Sequence, residues 1–165
     1  MIHAQNAAFA IMKAGKTVAS NATSVDYVDG QSWHYATILL VGGLASSGTS
    51  NSFSTLALVE ADDTATTSFT NVSGAVGGTD STNGFTIPIN NSSTTSYCVR
   101  FNVDLRKRKR YVAIKSTPSA AATDQGPYSV VAFLSRGEEA PNTTLEWIQG
   151  VASGNTTTVS KVLTI

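Results

Sequence analysis

The sequence predicts an all-β protein: an antiparallel, jelly-roll-like β-sandwich of about nine to eleven short strands, led by a short N-terminal arm or helix. Three observations predict it. β-Branched and aromatic residues gather in short runs, several of which alternate apolar and polar residues. Gly, Pro, Asp and Asn punctuate those runs at the spacing of strand-connecting turns. No long stretch has helical periodicity, and nothing repeats at a solenoid or propeller period.

The elements follow in order. Residues 7–12 (AAFAIM) form an apolar run that Lys13 ends. The run is too short to cross a bilayer, and it lacks the basic leader and cleavage site of a signal peptide. Residues 1–15 are therefore expected to be an arm or short helix packed on the domain, or an extended arm docked on a neighbouring subunit. Residues 16–165 are expected to form one sandwich domain. Strands are predicted at 17–20 and 24–28, the second closed by the turn pair Asp29-Gly30. Residues 33–41 (WHYATILLV) end in a continuous apolar run, which suits a strand buried on both faces. Residues 54–60 alternate: Leu56, Leu58 and Glu60 point one way, Ala57 and Val59 the other. Asp62-Asp63 marks a turn before a strand at 66–72.

Residues 74–84 read as a polar loop. Residues 85–89 carry Pro88 and read as an edge strand. Residues 96–105 show the clearest alternation, with Tyr97, Val99, Phe101, Val103 and Leu105 on one side and Cys98, Arg100, Asn102 and Asp104 on the other. Further strands are predicted at 111–115, 128–135, 145–149 and 156–165.

Composition narrows the function. Eleven Lys and Arg balance eleven Asp and Glu, so the net charge is zero. That balance disfavours a uniformly basic nucleic-acid binder and an acidic solvating protein alike. A weakly charged, neutral chain suits a protein whose surface is covered in an assembly. Ser and Thr make up about a quarter of the chain, enough to generate by chance the sequons at Asn21, Asn71, Asn90, Asn91, Asn142 and Asn155. Cys98 is the only cysteine, so no internal disulfide and no cysteine zinc cluster can form. A buried structural thiol is its expected role.

No catalytic residue, cofactor site or metal site is expected. The Gly-rich stretch 74–84 lacks the Lys-Ser/Thr ending of a phosphate loop, and no nucleophile elbow is present. His34 lies mid-strand without a local carboxylate partner, so a hydrogen-bonded structural role is expected. Glu60, Asp62 and Asp63 lack the ligand spacing of a Ca²⁺ loop and read as a strand end and turn.

The most unusual segment is Arg106, Lys107, Arg108, Lys109 and Arg110, which holds nearly half of the basic residues. It reads as an exposed basic hairpin turn or as a continued strand at a sheet edge. Five charges can contact phosphates, but no aromatics interleave them. Pairing with carboxylates fits better, either within the chain or across an interface, because Arg forks bind carboxylates and are enriched at interfaces.

Three stretches carry a family resemblance: 36–74, with ATILLVGGLASSG, STLALVEADD and FTNVSG; 103–115, VDLRKRKRYVAIK; and 129–141, SVVAFLSRGEEAP. Together they resemble small β-structured head decoration (cement) proteins of tailed bacteriophages, with Ala61 standing where Ser is common. The resemblance covers about half of the chain and rests on short structural motifs. It implies a non-enzymatic virion protein, made in the host cytoplasm, that binds the major capsid protein on the outside of the head. It also implies a homotrimer; no membrane partner is expected, and the charge balance argues against a nucleic-acid partner. The residues leave other functions open. A carbohydrate- or receptor-binding module would use Trp33, Tyr35, Tyr128 or Trp147, and a hydrolase would use Asp62, Asp63 or His34. A major shell subunit is a variant of the virion reading.

Overall fold

A computed structural model describes residues 7–16, 19, 21–42, 53–77, 84–85, 87, 97–119 and 127–137. Within them the chain forms nine strands: β1 (Ala7–Lys16), β2 (Ser24–Asp29), β3 (Trp33–Gly42), β4 (Phe53–Ala61), β5 (Thr70–Gly77), β6 (Gly84–Phe85), β7 (Tyr97–Asp104), β8 (Tyr111–Pro118) and β9 (Tyr128–Gly137). They make a sandwich of two sheets. One has four strands in the order β1-β9-β3-β7, the other five in the order β2-β8-β4-β5-β6.

The pairing is nested. β1 pairs with β9, β2 with β8, β3 with β7, and β4 with β5, all antiparallel. This is a long hairpin with its bend between β4 and β5. The hairpin is then rolled so that β3 also meets β9 and β4 also meets β8. That is the jelly-roll arrangement, in which successive strands change sheets and most connections cross the sandwich. Only the two-residue edge strand β6 pairs in parallel.

Alternation builds the core. Ala8, Ala10, Met12, Ile38, Leu40, Val130 and Leu134 project inward from the four-stranded sheet. Leu56, Leu58, Val28, Val112 and Ile114 meet them from the other. The hydroxyls of Ser116 and Tyr128 pair at 2.8 Å inside this core, so neither is left unsatisfied.

Residues 7–16 are neither a helix nor a detached arm. They form the edge strand β1, and removing them would strip Ala8, Ala10 and Met12 from the core. A register shift between Ile11 and Lys13 turns both Met12 and Lys13 inward. Lys13 Nζ there lies 3.2 Å from Asp26 Oδ2 and donates to Ser24 Oγ at 2.7 Å. It also sits 4.6 Å from the Tyr128 ring centroid. Each charge-bearing atom thus has partners, as burial requires.

Other boundaries move. Residues 66–69 are turn rather than strand, and β5 extends into the predicted 74–84 loop. Gly74 has φ 79° where β5 shifts register against β4, a conformation that favours glycine. The predicted strands at 145–149 and 156–165 lie outside the described residues, and so do residues 88 and 89.

Candidate functional site

The basic segment is not a hairpin turn. β7 and β8 lie in different sheets, so residues 105–110 cross from one to the other, opening with a 3₁₀ turn at Leu105–Lys107. The Asp29-Gly30 pair also marks a crossing, from β2 to β3. Because β2 pairs with β8 and β3 with β7, the two crossings run side by side. The Gly30 amide donates to the Arg110 carbonyl at 2.8 Å. A Cβ on Gly30 would approach that oxygen to 3.2 Å, so glycine lets the two crossings close up. The positive φ of the first crossing falls on Ser32, at 67°.

Three strands carry acidic residues at or next to their ends at this corner, and the basic segment meets them in turn. Arg106 forms a two-pronged contact with Asp104, Nε to Oδ1 at 2.9 Å and Nη2 to Oδ2 at 2.8 Å. Arg108 reaches Glu60 at 3.7 Å, and the Lys109 amide donates to Glu60 Oε2 at 3.3 Å. Lys109 Nζ lies 3.7 Å from Asp62. Arg110 Nη2 donates to Asp29 Oδ2 at 2.8 Å. The Arg106 hydrogen bond holds the Asp104 carboxyl down at about 2, well below the usual carboxylate range. Asp29 likewise raises the already high basicity of Arg110 through their hydrogen bond. Four of the five cations are therefore balanced within the chain. Beside them opens a cleft of about 450 Å³, lined by Trp33, His34, Leu105, Arg106 and Arg108.

The remaining candidates fall into place around this frame. Asp63 accepts from the Ala65 amide at 2.9 Å and from Ser68 Oγ at 3.0 Å, as its turn reading expects. His34 is half-buried, its ring set edge-on to Tyr35. No group of three His, Cys, Asp or Glu among the described residues could hold a metal ion. Trp33 packs against the core and Tyr128 is buried within it. The guanidinium groups of Arg106 and Arg136 both lie over the Tyr35 ring, at 5.0 and 5.4 Å from its centroid. Trp147 lies outside the described residues.

Cys98 corrects an expectation. It is exposed, because it shares the outward parity of Arg100 and Asn102 on the edge strand β7.

The sequence reading missed one feature, the outer face of the four-stranded sheet. Phe9, Ile11 and Val41 are 68%, 47% and 46% exposed. In register, Ile11 stands opposite Val131, which stands opposite Leu39 and then Arg100. Phe9 stands opposite Phe133, their rings 4.8 Å apart, followed by Thr37 and Asn102. The signal was present in the run 7–12, whose odd positions are as apolar as its even ones.

No known protein-family profile matches the chain, and no curated protein is significantly similar to it.

Proposed function

We propose that the protein is a non-enzymatic structural component of a virion, a decoration protein that binds the outside of a phage head as a homotrimer and stabilises it. The observation that carries this reading is the nested strand pairing. The jelly roll is a recurring architecture of viral capsid domains, shared with lectins and cupins, so this support is an analogy of fold. Two further features favour assembly. The chain is neutral and weakly charged, and Phe9, Ile11 and Val41 are exposed on one sheet face. The sequence resemblance points the same way.

Immunogold labelling tests the reading. An antibody against the recombinant protein is applied to particles banded from the sample that carries the gene. Label on the outer surface of heads is expected, with a solution mass of three 17.2 kDa chains by light scattering. Particles without label, or with label confined to tails, overturn it.

A further inference from the structure

We infer that the outer face of the four-stranded sheet is a self-association surface, occupied by a second copy of this chain. The inference rests on the assembly reading above and adds to the trimer proposed there a two-fold contact between copies, in which the patch meets its own twin. Phe9, Ile11 and Val41 are the three large apolar side chains most exposed among the described residues, and all three lie on this one face. Half-buried Leu39, Val131 and Phe133 join them into a continuous patch across β1, β9 and β3.

The surroundings of the patch have interface composition. Tyr35 with Arg106 and Arg136 over its ring stands at one end, and Arg100 stands on β7. Aromatic and Arg residues around an apolar centre are what association surfaces enrich.

Area and charge select the occupant. The bare parts of Phe9, Ile11 and Val41 amount to about 300 Å² per copy, the size of the largest patch on an ordinary monomer. Two such patches pressed together bury about 600 Å² of apolar surface, a fitting centre for a standard interface of roughly 1,600 Å². A second copy always presents a patch of matching size. Zero net charge means that two copies approach without mutual repulsion. At one border of the patch β1 is an edge strand, and no described strand pairs with its far side. An uncovered edge is a ready site for a further strand.

The test uses the full chain. Ile11→Glu and Val41→Glu place a charge at opposite borders of the patch, at positions exposed enough to accept it. Thr67→Glu, exposed on the other side of the sandwich, is the control. Light scattering over a concentration series is expected to show an assembled wild type. Both patch variants should weaken association at least tenfold with the circular dichroism spectrum unchanged, and the control should not. Cys98, exposed on the same face, gives a second readout: its alkylation should slow on assembly and recover in Ile11→Glu. A wild type that is monomeric at every concentration overturns the inference. An assembled Ile11→Glu with unprotected Cys98 also overturns it. Either failure leaves head labelling untouched. Unlabelled heads with dissociation by Ile11→Glu would remove the virion reading and keep the surface.

Discussion

The two sheets of the sandwich treat their outer faces differently. The five-stranded sheet covers its own. Ala57, Val59, Ala61 and Ala113 lie there in a second buried cluster with Phe69, which follows the turn at 62–68. Tyr27 stacks on Phe69 at 6.0 Å and meets Tyr111 edge-on at 5.6 Å. The four-stranded sheet has comparable apolar material outside and no described segment that buries it. An apolar outward residue thus becomes core or contact surface according to whether a distant piece of chain returns to cover it. The jelly roll leaves that choice open, because its inner faces are already satisfied by each other.

The largest expected effect sharpens this contrast. Phe69→Ala should lower the unfolding free energy by about 3 kcal/mol, because it opens the second cluster. Phe9→Ala removes as large a side chain from the bare face and should cost under about 0.5 kcal/mol in the monomer. Urea titrations at concentrations that dissociate the protein compare the two directly, since assembly would add to apparent stability. Equal costs would break the comparison by showing that Phe9 is covered in the folded monomer.

A smaller effect lies between the sheets. Tyr128→Phe leaves the buried Ser116 hydroxyl without its partner across the interior and should cost ~1–2 kcal/mol, read from the same titrations. A neutral result would mean that the Ser116 hydroxyl finds another acceptor.

The sequence made most strands legible and misjudged their two-sidedness. Alternation in 96–105 placed Val103 inward and Arg100 outward, as found. The apolar run of 33–41 suggested burial on both faces, yet Val41 is 46% exposed. The alternation of 54–60 separated Leu56 and Leu58 from Ala57 and Val59 without saying what covers either set, and Ala57 and Val59 are as buried as Leu56. Local pattern reports how apolar a face is, whereas burial depends on Phe69, Tyr27 and Tyr111, which other elements supply. The basic segment was legible in part: carboxylate pairing was expected and is found, but the partners could not be named. Its charge was plain, but its acidic partners Asp29, Glu60 and Asp104 lie at or next to the ends of strands that meet only after the hairpin has rolled up.

A third expectation concerns the seam where the edge strands of the two sheets meet, Lys13 of β1 beside Asp26 of β2. Burial raises the Asp26 carboxyl above its ordinary 3.8, although Lys13 and Ser24 pull it down. The folded state therefore takes up this proton before the unfolded chain does. Asp26 adds stability that is fully present below pH 3.8 and is lost as pH rises through the folded value. Asp104 acts oppositely, losing its contribution as pH falls from 3.8 towards about 2. Between neutrality and pH 3.8, the melting temperature of wild type should thus rise relative to Asp26→Asn as pH falls. A falling difference would mean that the Lys13 pair outweighs the burial.

A further small stability effect belongs to the corner that joins the sheets at β2–β3 and β7–β8. Glu60→Gln leaves the hydrogen-bonding shape at the Lys109 amide and removes only charge, so it should cost no more than about 1 kcal/mol, falling further in high salt. Its larger consequence is electrostatic. Arg108 would lose its counter-charge while Lys107, Lys109 and Arg110 stand nearby, and the corner would become more positive. On a heparin column the wild type should leave in the low-salt wash, and Asp29→Asn with Glu60→Gln should be retained. Equal retention of both would mean that the basic segment holds polyanions despite its carboxylates, and that the pairing seen here does not neutralise it. Retention of the variant alone would show that these carboxylates set the character of the surface, offsetting four of the five cations at the joint between the two sheets.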